Sequence, residues 1–196
     1  MRGIFDAHSF LGALGEQLAF SGGGPYDLAV CGGSALNVLG LVIRTTRDID
    51  VFALVEHGHM VPCLVMPPDL AEAASRVAKD FSLPPDWINV QAAALHPERL
   101  PEGLETRWVR REYGARLAAH FIGRLDQIHF KLHAAADRGD RATVHFADLQ
   151  RLNPTPEEIR MAARWACETQ DPSEGFRLVL RECIGALGFT DVAEEL

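Results

Sequence analysis

The chain has 196 residues, 47% of them hydrophobic, and a formal net charge of −8. That apolar content supports a folded core in one large domain, or a core with a helical appendage, and excludes a disordered chain. The acidic balance excludes bulk DNA binding, and no apolar run is long enough to span a bilayer, so no membrane partner is expected.

In chain order, Phe10, Leu11, Leu14 and Leu18 share one side of a helix predicted over residues 9–20. Asp6 and Glu16 make this stretch a first helix and not a secretory leader. "SGGGP" (Ser21 to Pro25) stops it. "YDLAVC" (26–31) reads as a strand, and "GSALNVLG" (33–40) as a short helix opened by the double glycine. After the loop "IRTT", "RDIDVFALV" (47–55) reads as a second strand. Pro62, Pro67 and Pro68 make the following segments irregular or edge-like. Asp69 is predicted to cap a helix that ends near Phe81.

A third strand is predicted around Trp87 to Val90, and a hairpin over residues 104–122 that turns at Tyr113 and Gly114. Beyond Ile122 the pattern becomes helical: about 123–137, 141–152, 156–169 and 173–187. The predicted organisation is therefore an α/β (α+β) core over residues 1–122 and a helical C-terminal region over 123–196.

Alternation places Asp48 and Asp50 on one face of the second strand, with Ile49, Val51 and, by the same rule, Ala53 directed to a core. Two carboxylates about 7 Å apart along a strand can share a divalent cation. Without one they repel. Such hard oxygen ligands suit magnesium or manganese, completed by phosphate oxygens. The plainer reading is the polar face of an edge strand, paired to Arg44 or Arg47. The upstream strand–GGS–helix order favours a site, because Gly32 and Gly33 let backbone N–H groups approach a phosphate and Ser34 adds a hydroxyl. A P-loop is excluded because no lysine follows the glycines. A dinucleotide fingerprint lacks its G-x-G-x-x-G, although one aspartate could still mimic its ribose-binding acid.

The string "GGSALNVLG…RTTRDIDV" resembles the signature of the nucleotidyltransferase superfamily, h-G-[GS] followed by D-h-[DE]-h on the next strand. It is most similar to the AbiEii-like branch, which includes toxins of toxin–antitoxin pairs and uncharacterised bacterial proteins. "LDQIHFKLHAAADRGDRATVHFADLQRL" is similar to that branch's later helical pattern. The resemblance spans about Asp27 to Leu152. It implies a small mixed sheet with flanking helices and a helical C-terminal half. It also implies a nucleotide held by Gly32, Gly33, Ser34 and Arg47, and Mg²⁺ or Mn²⁺ held by Asp48 and Asp50. Lys131 matches the family's helical lysine and would join Asp48 and Asp50 in catalysis. Asp148 matches a later aspartate and is expected to scaffold Lys131 or Arg138.

The third carboxylate of active members falls here on Asn89, which can ligate a metal but cannot take a proton. Glu105 or Glu112 could substitute. Val144 stands where relatives often carry a basic residue. Two functions follow from the resemblance. One is metal-dependent transfer of a nucleotidyl group from a nucleoside triphosphate to a hydroxyl of RNA, protein or a small molecule, in the setting of a toxin with an antitoxin partner. The other is a catalytically weak or inactive binding module of the same fold.

Arg107, Arg110, Arg111, Arg116 and Arg124 form a local basic region that could steer a triphosphate or an RNA end, or a solvated face paired to Glu105 and Glu112. His129 and His133 are spaced for one helix face but lack the glutamate of H-E-x-x-H, so they are expected to be ordinary histidines. The four cysteines form no C-x-x-C and are expected to be reduced thiols of a cytoplasmic protein. Trp87, Trp108 and Trp165 are expected in a core or an interface.

Overall fold

The computed structural model describes residues 6–94, 99–138, 143–171 and 173–196. The chain divides into two compact units, Met1–Gly123 and Arg124–Leu196. The architecture is mixed α+β, with an open mixed sheet of six strands among the described residues.

The first unit opens with α1 (Ala7–Ser21). Asp6 caps it by accepting from the His8 and Ser9 amides, and left-handed Gly22 ends it. Then come β1 (Tyr26–Cys31), α2 (Gly32–Val38), β2 (Ile49–Glu56) and β3 (His59–Pro62). They are followed by α3 (Pro68–Phe81), β4 (Ile88–Asn89), α4 (Leu104–Arg107), β5 (Val109–Glu112) and β6 (Leu117–Phe121). The strands are ordered β3-β2-β1-β6-β5, and β4 pairs with the same edge of β2 as β3. β1 is antiparallel to β2 and parallel to β6.

One face of the sheet packs on α1 and α3. Leu11, Leu14 and Leu18 of α1 and Leu70, Ala73 and Val77 of α3 meet Leu28, Val30, Ile49, Val51, Ala119 and Phe121. Trp87 completes this core, its indole N–H donating to the Ala74 carbonyl at 3.0 Å. Fully burying side chains of this size stabilises by roughly 1.5–3 kcal/mol each.

Several expectations are corrected here. Ala53 is buried but does not join this core; Leu54 does. The cause is a β-bulge: Val30 pairs with Val51 and Ala29 with Ala53, so Phe52 is the extra residue and the alternation shifts by one. Asp69 does not cap α3, which starts at Pro68 with Pro67 before it. Its carboxylate instead accepts from the Gly24 amide at 3.0 Å and the Tyr26 hydroxyl at 2.5 Å, tying the start of α3 to the start of β1. The hairpin region begins with the short helix α4 before its first strand.

The second unit comprises α5 (Arg124–Arg138), α6 (Val144–Leu152), α7 (Pro156–Trp165) with a π-helical turn over Ala166–Gln170, α8 (Glu174–Ala186) and α9 (Thr190–Glu194). The predicted start of the second C-terminal helix, at Arg141, lies outside the described residues. α5 packs against α6, α7 and α8. Thr155 and Glu158 form a reciprocal capping box at the start of α7, behind Pro156. Arg124 donates to the Leu152 and Asn153 carbonyls and pairs with Glu158, which fixes the α6–α7 turn. No helix among the described residues is long and apolar enough to cross a membrane.

Candidate functional site

β1 delivers the chain into the double glycine at its C-terminal end. Cys31 lies opposite Asp50 on β2, so the aspartate and the glycines are neighbours across one strand pair. Gly32 has φ 75°, a left-handed conformation that side chains disfavour, and a Cβ there would run into Asp50 Oδ2. Asp50 is therefore seated directly on the glycine backbone. A Cβ at Gly33 would lie 2.5 Å from Arg44 Nη2. The loop between α2 and β2 brings that guanidinium in, and Asn37 holds the loop. Its amide donates to the Arg44 carbonyl at 2.7 Å and accepts the Arg44 N–H at 3.2 Å.

Ile49 points into the core, so Asp50, its neighbour in β2, emerges on the other side, and Asp48 lies just before the strand. Both are half-buried. The Thr46 hydroxyl donates to Asp48 Oδ1 at 3.4 Å. β4 runs parallel to β2 with Asn89 opposite Asp50. The Asn89 amide nitrogen donates to Asp50 Oδ1 at 3.3 Å, while its oxygen accepts the Gln91 N–H at 3.0 Å. The Asn89 side chain thus lies beside Asp50 with its donor end toward the carboxylate.

Ser34 is fully buried, and its hydroxyl has no hydrogen-bond partner among the described residues. Arg47 is exposed; the arginine that covers the glycines is Arg44. Nothing in the sequence separates these two arginines, because both flank the same Thr-Thr pair. Glu112 does not come near Asp50: it sits on β5, at the far edge of the sheet, and pairs with Arg110 at 2.6 Å. Glu105 is exposed in the first turn of α4.

In the second unit, Lys131 is buried and pairs with fully buried Asp148 at 2.9 Å, with Arg151 at 3.9 Å from the same aspartate. The His129 Nδ1–H donates to the Leu125 carbonyl at 2.8 Å. His133 lies against Trp165 and Phe176, and burial holds it below its ordinary pKa. The four cysteines are buried and form no disulfide among the described residues, and burial pushes the Cys63 and Cys167 thiols up.

Among the described residues no three His, Cys, Asp or Glu side chains converge as a metal site. Two carboxylates suffice for magnesium when substrate phosphates supply further oxygens. Asp48 and Asp50, at the start of β2 and beside the glycines, fit that donor set. No protein-family model, curated protein or solved structure matches the chain.

Proposed function

We propose that this protein has a nucleotidyltransferase-like fold and transfers a nucleotidyl group from a nucleoside triphosphate to a hydroxyl of RNA, protein or a small molecule. The observation that carries this reading is the seating of Asp50 on Gly32, which unites the two halves of the sequence motif in one place. In this reading Asp48 and Asp50 hold Mg²⁺ or Mn²⁺ together with the phosphates of the nucleotide. The metal would neutralise phosphate charge. Gly32 and Gly33 let the Asp50 and Arg44 side chains close onto the backbone, and Arg44, held by Asn37, supplies a fixed positive charge for the phosphates. Lys131 is engaged by Asp148 and supports the helical unit in this account.

The experiment is titration of the protein with ATP, CTP, GTP and UTP, with and without Mg²⁺ or Mn²⁺. Incubation of the α-labelled nucleotides with total RNA follows. Metal-dependent binding that disappears in the Asp48→Asn/Asp50→Asn double variant, with the fold retained, supports the site. Equal affinity in that variant refutes it.

A second reading is favoured by Asn89, whose amide is anchored by Gln91 and offers Asp50 a donor and not a base. In that reading the fold binds nucleotide without turnover and serves as an interaction module, for instance with an antitoxin partner. Metal-dependent binding with no transfer to any acceptor distinguishes it.

A further inference from the structure

A solvent-open groove runs along α3, apart from the site around Asp50. Its volume is about 420 Å³, within the range of small-molecule sites. Buried Ala74 and Ala78 lie in it, with Met66, Leu83 and Ile88 beside them. On β4, Ile88 pairs with Ile49 and Asn89 with Asp50. Successive strand residues face opposite ways, so Ile88 serves the α3 side and Asn89 the Asp50 side.

The charge of the groove is one-sided. Lys79 lines it, and no carboxylate does. In a chain of net charge −8 this is a local reversal. Glu72 and Arg76 on the same helix pair with each other at 2.6 Å, whereas Lys79 makes no ion pair among the described residues. Ser75 and Ser82 also line the groove, each within about one helical turn of Lys79. A carboxylate on the Lys79 ammonium therefore has hydroxyl donors nearby for its second oxygen. One cation matches one negative charge, which suits a monocarboxylate and not a polyphosphate.

The rest of the lining is apolar toward the start of α3. From Lys79 back to Ala71, which also lines the groove, the helix rises about 12 Å. Ala74 and Ala78 lie between them, and Met66, with an adaptable thioether, stands before the helix.

We propose that this groove binds an amphiphilic monocarboxylate, a flexible acyl chain with its carboxylate on Lys79 and its tail directed toward Met66. The tail leaves water against the alanines, and the head stays at the solvent edge, where Lys79 is exposed. Trp87 lies behind the groove, its indole N–H donating to the Ala74 carbonyl at 3.0 Å, and so reports occupancy.

The probe is decanoate, titrated into the full chain by calorimetry below its micellar range. Saturable one-site binding is expected, with affinity rising about two- to fourfold per methylene from hexanoate to decanoate. Lys79→Met should weaken decanoate by about fivefold, the upper end for a solvent-exposed ion pair. Ser75→Trp fills the groove from an exposed helix position and should abolish binding with the circular dichroism retained. In NMR spectra the Trp87 indole resonance, assigned with Trp87→Phe, should move with decanoate and stay put with decylammonium, which has the same tail and the opposite head. Absence of saturable binding, native decanoate affinity in Lys79→Met or in Ser75→Trp, or an equal Trp87 response to decylammonium overturns the site.

Discussion

Asn89 and Asp50 stand opposite each other on parallel strands, and the asparagine amide donates to the aspartate at 3.3 Å. The amide thus directs the positive end of its dipole at Asp50. Replacing Asn89 by Asp sets two carboxylates at that separation, where they repel. Asn89→Asp should lose roughly 1.5–3 kcal/mol in the presence of chelator, the value of a hydrogen bond to a charged group. It should recover stability with Mn²⁺ and bind that ion more tightly than the native chain. Thermal melts with and without Mn²⁺ measure this; identical metal-induced shifts in the two proteins would remove Asn89 from the site.

Gly32 offers a second check. Gly32→Ala meets two obstacles, a left-handed φ of 75° and the Asp50 carboxylate where the new methyl must go. Gly58→Ala has a comparable φ of 84° and open space around its Cβ, so it carries the backbone penalty alone, about 1–2 kcal/mol. Gly32→Ala should be the more destabilised and should also lose metal-dependent nucleotide binding, whereas Gly58→Ala should bind normally. Calorimetric titration of both decides it, and equal behaviour would show that Asp50 does not depend on the glycine.

The paired strands and the outward side of Asp50 are legible because alternation and the double glycine act locally. The bulge at Phe52 is not, since no glycine or proline marks it and an apolar residue is the one inserted. Asp69 looks like a cap because capping chemistry is local, yet Tyr26, 43 positions away, takes its carboxylate. His120, which contacts Asp27 at 3.0 Å, is a buried polar residue hidden for the same reason. It sits in the apolar run "AAHFI", and its partner Asp27 is 93 residues upstream. A polar residue centred in a fully buried strand was the available signal. Arg44 rather than Arg47 covers the glycines because Asn37 clamps the loop, a tertiary choice that composition does not encode.

The Lys131–Asp148 pair is fully desolvated on the aspartate side. Removing one partner of a buried pair costs about 3–5 kcal/mol, less what Arg151, 3.9 Å from the same carboxylate, offsets. Lys131→Met should therefore melt far below the native protein. The double variant Lys131→Met/Asp148→Leu should recover most of the loss, because an apolar pair of similar volume is often neutral. Urea unfolding of the three proteins measures the coupling, and simple additivity of the two changes would contradict a direct pair.

The Tyr26–Asp69 contact predicts a pH window. The Tyr26 hydroxyl and then the Gly24 amide hold the Asp69 carboxyl below its ordinary range. Burial, and then Asp69, push Tyr26 up to about 12. The Asp69 contribution is present above the unfolded aspartate value of about 3.9 and is lost as pH falls through the lower folded value. The Tyr26 contribution is complete below the unfolded tyrosine value of about 10. It is lost as pH rises toward the folded value of about 12. The stability gap between the native protein and Tyr26→Phe should be widest between these limits and should close at both ends. Denaturation midpoints across pH show it; a gap independent of pH would mean the two side chains are not coupled.

The bulge at Phe52 divides β2 into two lengths with different neighbours: residues 49–50 pair with β4, and residues 53–56 pair with β3. The β2–β3 hairpin turns at His57 and Gly58, both at positive φ, the two-residue connection that matches strand twist. The bulge therefore insulates the Asp50 end of the strand from whatever happens at this tip. Chain inserted between His57 and Gly58, whether by natural variation or as a fused reporter domain, meets a joint before it meets Asp50. The tip is the natural splice point for building onto this protein while leaving its chemistry in register.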